Sequence, residues 1–365
     1  MIKKRLNYID IAKAFAIFYI VIGHTIVHSQ NSNLILRFVC SFHVVLFFVL
    51  SGYTFKVHEP FKQFTKKKFT RIMIPYFLWA VLFLVPYYLL GAKVGEQLGT
   101  TQYFNIWSVL KNILYANGNA AALKQNSSLW FLPALFTIEI IYYGIISFTN
   151  NSRKKEIITL LIILIVGYFS ANYFKYILPW GINTMVNVGG FFYIGYLLNK
   201  YCILDKINIY FQIIITLIIG LISCFYGNEK HLSYIDFYYG NYWYMILSGI
   251  FLSIFTICIS KLINKSKVLE YVGRNTMGIL IFHKLFVIIF QTKCGAISNL
   301  VMNSNFFVET LLAITISILA IALSILITIP IRKITPFAIG ENKQSVWKNE
   351  WSKKNIKFVK GILGL

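Results

Sequence analysis

Apolar residues fall along this chain in ten runs, near 8–29, 34–55, 72–91, 129–149, 156–173, 182–199, 209–226, 243–263, 275–291 and 306–329, separated by polar or turn-forming links. Each run is long enough for a helix to cross a hydrocarbon core of about 30 Å. The pattern predicts an all-α polytopic membrane protein with ten transmembrane helices. No fixed-period repeat and no composition shift before about residue 335 interrupts it, so residues 1–335 read as one transmembrane domain and 336–365 as a basic tail. In the tail, Trp347, Trp351, Phe358 and Ile362 recur near helical spacing among lysines, which predicts an interfacial amphipathic helix, with a frayed basic end as the alternative. The longest link, about 92–127, predicts a short helix at 104–115 that caps a cavity.

Composition agrees with the pattern. The 365 residues are 58% hydrophobic and only 13% charged, and the mean hydropathy is +0.67. These values exclude both a soluble globular domain and a disordered chain. The net charge of +23 would point to nucleic acid in a soluble protein, but its placement favours topology. Basic residues cluster at the N-terminus, in alternate links (Lys62, Lys66, Lys67, Lys68 and Arg71; Arg153 to Lys155; Lys200 and Lys206; Lys261 to Arg274) and in the tail. The other links hold isolated cations, so the positive-inside rule puts both termini in the cytoplasm. No nucleic-acid partner is expected, and membrane lipids are. Five scattered cysteines without a CxxC spacing read as buried fillers and give neither a metal site nor a disulfide framework. The basic start before an apolar run resembles a signal peptide, but no small-residue cleavage site follows, so the segment is expected to be retained.

Ionisable residues inside apolar runs carry the functional signal, because a charge there is costly and usually faces protein or a wet cavity. Lys13 and His24 lie in the first run. Eleven residues at about 100° each bring them to one helix face about 16 Å apart. An imidazole near neutrality suits a general base in acyl transfer; its plain alternative is a packing histidine. Asp10 lies three residues before Lys13 on the same face, which predicts an ion pair, and Lys13 remains able to bind an anion from the cytoplasmic side. His43, at the start of SFHVVLFFVLSGYTF, is placed at a depth similar to that of His24 as a second base, an orienting partner or an interfacial histidine. Ser51 in LSGY lacks the GxSxG elbow, and close helix packing accounts for it better.

Lys68 and Arg71, three apart where a helix enters the membrane, form a pair able to hold the phosphates of a nucleotide-containing donor, or simply an anchoring pair. No Walker A or Rossmann glycine pattern is present. Glu139 sits about 14 Å inside an apolar helix and needs a partner, for which Lys13 is one choice. His283 is expected to face the bundle or a cavity, and Lys284 to snorkel outward. HLSYID, at His231 and Asp236, has the His, four residues, Asp spacing of soluble-site glycerolipid acyltransferases, but lies in a predicted outer loop and reads as a chance match.

NYIDIAKAFAIFYIVIGH, SFHVVLFFVLSGYTF, KKFTRIMIPYFLW, LWFLPALF and GRNTMGILIFH, in that order, resemble the acyltransferase-3 family of integral membrane O-acyltransferases. The YIDIAK opening looks most like its fucose 4-O-acetylase-like branch. The resemblance implies transfer of an acyl group, usually acetyl from acetyl-CoA, to a hydroxyl of a surface carbohydrate or its lipid-linked precursor, in the bacterial cytoplasmic membrane and without a metal. It implies that Lys13 and His24 are the functional pair and that Lys68 and Arg71 meet the donor. Asp10, His43, Glu139 and His283 are supporting residues. The family often carries arginine where Lys13 and Lys68 stand and proline where Val45 stands. A homo-oligomer is compatible with the sequence. The alternative function is a transporter or flippase of a glycan or lipid precursor, its path lined by the same charges.

Overall fold

The computed structural model describes residues 6–26, 33–85, 106–116, 123, 126–149, 151–174, 178–228, 230–293 and 306–342. The described residues of each of the ten apolar runs include helix. In chain order the helices are α1 (Asn7–Thr25), α2 (Asn33–Tyr53), α3 (Phe61–Lys68), α4 (Ile74–Leu82), α5 (Ile106–Tyr115), α6 (Phe131–Thr149), α7 (Arg153–Tyr173), α8 (Ile182–Lys200), α9 (Ile209–Gly227), α10 (Tyr242–Ile263), α11 (Lys267–Arg274), α12 (Thr276–Lys293) and α13 (Phe306–Ile334). The described residues contain no strand, only an isolated bridge between Ser233 and Tyr238. Among the described residues seven spans are long and apolar enough to cross a membrane, and an eighth is added if α11 and the start of α12, bent by 82°, count as one; the expected number of ten is not reached there. The tail helix expected from Trp347 onward lies outside the described residues.

α1 is the hub of the bundle: α2, α10, α11, α12 and α13 all pack on it. A helix packed by several neighbours needs apolar or small residues at the contacts, and α1 supplies Ile11, Ala12, Ala16, Ile17 and Val21, all fully enclosed. Between lipid-embedded helices the apolar effect gives little drive, so close packing at small residues takes over. Two contacts show this. A Cβ on Gly52 would lie 1.9 Å from the carbonyl oxygen of Phe192, and one on Gly195 would lie 2.1 Å from that of Val49, so α2 and α8 touch backbone to backbone. That contact is the packing expected of LSGY. Likewise a Cβ on Gly273 would lie 1.8 Å from the Asp10 carbonyl oxygen, which seats α11 directly against α1. At the periphery, α7 exposes Ile158, Leu161, Ile162, Ile165 and Phe169, an apolar outer face of the kind that meets lipid.

Local chemistry sets several helix ends. The side chains of Asn208 and Asn241 accept from backbone N–H groups that open α9 and α10, and Ser266 accepts from Leu269 N while Glu270 reaches back to Ser266 N. The third run departs from expectation. Its helix begins at Phe61 rather than near residue 72, and α3 passes into α4 through a π-helical turn, Phe69–Met73. The short helix expected at 104–115 is α5. Of the cysteines, Cys224 and Cys258 are buried, Cys40 is partly covered and Cys202 is exposed; none of these four is in a disulfide. Cys294 lies outside the described residues.

Candidate active site

The two ends of α1 carry different chemistry. At the Asp10 end the charges are held in ion pairs. Arg274 Nε donates to Asp10 Oδ2 at 3.1 Å and Arg274 Nη2 to Glu270 Oε2 at 2.9 Å. The carboxylate expected to meet Lys13 on its own helix therefore also ties α1 to α11. Lys68 Nζ donates to Glu139 Oε1 at 2.6 Å, and Lys13 acts electrostatically on the same carboxylate. Glu139 is buried, and its Oε2 has no hydrogen-bond partner among the described residues.

The predicted Lys68 and Arg71 pair is divided in its tasks. Lys68 reaches inward to α6, whereas Arg71, inside the π-helical turn, is exposed. The wider turn changes the angle between positions 68 and 71 from that of an ordinary helix. The segment after α13 packs here too: Trp79 Nε1 donates to the Ala338 carbonyl at 2.7 Å, and a Cβ on Gly340 would lie 2.2 Å from the Arg71 carbonyl oxygen.

At the other end of α1, His24 faces His283 of α12, with ring centroids 5.3 Å apart and planes inclined by 38°. His283 is fully buried. Its Nδ1 lies 2.7 Å from the Ile279 carbonyl oxygen, so Nδ1 carries the proton and donates to that oxygen, leaving Nε2 an acceptor. Ser128 Oγ lies 3.5 Å from Nε2 and is placed to donate to it. His43 Nδ1 similarly meets the Val39 carbonyl at 2.8 Å. His43, His283 and Lys284 all lie within electrostatic reach of His24. Three predicted residues, His24, His43 and His283, thus converge from α1, α2 and α12.

Sequence reasoning passed over the turn Asn126–Ser127–Ser128 before α6. Asn126 Nδ2 donates to the Ile281 carbonyl at 2.7 Å, and Asn126 Oδ1 accepts from Ser128 N at 3.2 Å. One side chain therefore shapes the turn and fastens it to α12. Lys284 does not snorkel outward as expected: its Nζ donates to Ser127 Oγ. The available signal was the polar run Asn126, Ser127, Ser128 directly before an apolar helix. HLSYID is not part of this site; Asp236 Oδ2 accepts from Ser233 Oγ at 2.6 Å and closes its own loop. No group of three or more His, Cys, Asp or Glu side chains able to hold a metal ion occurs among the described residues.

An imidazole cluster around a shielded helix end suits proton transfer or acyl transfer. Comparison with known proteins narrows the choice. The family model described as an acyltransferase domain (Acyl_transf_3) matches residues 6–330. The match covers nearly the whole chain, so the chain belongs to that family and is a multi-pass membrane acyltransferase. No curated protein and no solved structure matches it.

Proposed function

We propose that this acyltransferase moves an acetyl group from cytoplasmic acetyl-CoA to a hydroxyl of a cell-surface carbohydrate or its lipid-linked precursor, in the manner of the fucose 4-O-acetylase-like branch. The observation that carries the reading is the polarity of α1, with cations near Glu139 toward one end and imidazoles at the other. The excess of basic residues in alternate links supports a cytoplasmic Asp10 end. Arg71, exposed on that side, meets the donor's phosphates, and Lys68 adds its remaining N–H donors without leaving Glu139. The acyl arm runs along α1 past Lys13 toward His24, over the length of about eleven residues or 16 Å.

At His24 the acceptor hydroxyl arrives from the outer side. Two chemical courses fit. His24 takes the hydroxyl proton as the oxygen attacks the thioester carbonyl, or His24 attacks first and passes the acetyl group on from an acyl-imidazole. His283, its Nδ1 committed to the Ile279 carbonyl and its Nε2 facing Ser128, orients the pair rather than moving protons itself.

Mass spectrometry of surface polysaccharides from a deletion strain and its complemented counterpart tests the reading. A difference of one acetyl group on a single sugar, restored by the wild-type gene, is the expected result. Identical glycans, together with purified protein that neither transfers nor hydrolyses the acetyl group of acetyl-CoA, would sink it.

A further inference from the structure

Lys284 is anomalous among the cations of this fold. A lysine in an apolar helix ordinarily stretches its ammonium toward the interface, and Lys68, Lys200, Lys261, Arg274 and Arg332 each meet a carboxylate. Among the described residues Lys284 does neither. It is partly buried, and its partner among the described residues is the neutral hydroxyl of Ser127. Among the described residues its charge is held in place by a hydroxyl and by no carboxylate. The turn that supplies Ser127 is bolted to α12, the helix carrying Lys284, through Asn126 and the Ile281 carbonyl. The next residue of that turn, Ser128, addresses His283, whose ring faces His24. One short turn thus sets the direction of both the lysine and the imidazole.

We propose that Lys284 is a further catalytic residue, whose ammonium group, steered by Ser127, donates to the carbonyl oxygen of the acyl group as that oxygen becomes negative during attack at His24. The inference rests on the reading of His24 given above and names the group that reading lacks. In either course a lone pair of the attacking atom forms a bond to the carbonyl carbon, and the C=O π pair moves onto oxygen. Lys284 neutralises that oxyanion. The pair then returns, the bond to sulfur breaks, and the thiolate leaves with the electron pair and is protonated by the proton released from the attacking group. In the acyl-imidazole course a second attack follows: the acceptor oxygen bonds to the acetyl carbon, the C–N bond breaks with its pair returning to His24, and the hydroxyl proton passes to that nitrogen, so no further reactant is needed. A preorganised donor aimed at a developing oxyanion accounts for about 100-fold to 1000-fold in rate.

The test uses full-length protein in lipid nanodiscs, with acetyl-CoA as donor, an acceptor glycan identified by the mass comparison, and a separate measurement of acetyl-CoA binding. Lys284→Met is expected to lower kcat about 100-fold or more, with acetyl-CoA affinity unchanged within about threefold. Lys284→Arg should restore part of the rate, and ethylammonium should raise the rate of Lys284→Ala, which a packing role would not allow. A kcat for Lys284→Met close to that of the wild type overturns the proposal. So does a loss shared by acetyl-CoA binding, or one that neither arginine nor ethylammonium reverses in part. Wild-type protein with no acetyl transfer at all overturns the underlying reading instead, and the two failures are thereby told apart.

Discussion

The Asp10 end and the His24 end of α1 solve the same problem, ionisable groups within an apolar bundle, in opposite ways. Near Asp10, charge is matched by charge: Arg274 joins Asp10 and Glu270, and Lys68 joins Glu139. Near His24, three basic groups have carbonyl oxygens or hydroxyls as partners: Ile279 and Ser128 for His283, Val39 for His43, Ser127 for Lys284. Opposite charges in a low-dielectric interior hold one another firmly and suit a fixed anchor. Neutral partners fix geometry and leave the basicity of the site for chemistry. Under the proposed function, the ion-paired end is scaffold and donor anchor and the imidazole end reacts.

Three substitutions press on that distinction. The largest effect is expected from His24→Gln, which keeps size and polarity but removes the base: acetyl transfer should fall about 1000-fold while acetyl-CoA binding, followed by calorimetry, stays near wild type. Equal loss of both would erase the division between the two ends.

Glu139→Gln comes next. Taking away the carboxylate leaves Lys68, only 26% exposed, without its counter-charge, at a cost of about 3 kcal/mol. Thermal unfolding in detergent should show the loss, and acetyl-CoA affinity should change with it. A variant as stable as wild type would mean that Lys68 turns to solvent without penalty.

Asn126→Ala is the mildest. It deletes the bonds to Ile281 and Ser128, for roughly 1–2 kcal/mol of stability. The rate should fall because the turn that places Ser127 and Ser128 loosens, and acetyl-CoA affinity should hold. A drop in affinity with no drop in rate would assign the turn to the other end of α1.

Much of the fold was legible in the chain because membrane helices must satisfy their backbone hydrogen bonds internally and stay apolar over a fixed length. That is why helices lie where the apolar runs predict them, although only seven or eight of them among the described residues are long and apolar enough to cross a membrane. The start of α3 was misplaced because Phe61 to Lys68, FKQFTKKK, is too polar to read as part of an apolar run. The bend of 82° between α11 and α12 had no more warning than the Asn275 between them.

Sequence alone determined that α1 carries Lys13 and His24 on one face, because helix periodicity is a local property of the chain. It marked Glu139 and His283 as residues in need of partners, since desolvation makes isolated charges and dipoles costly wherever they sit. Only the tertiary structure decided who those partners are. Asp10 and Arg274 are 264 positions apart, and Lys68 and Glu139 are 71 apart; no local rule connects them. The direction of Lys284 was decided in the same way, by a turn 157 residues earlier in the chain. Whether an ammonium group escapes to the interface or turns inward depends on which acceptor the packing brings within reach.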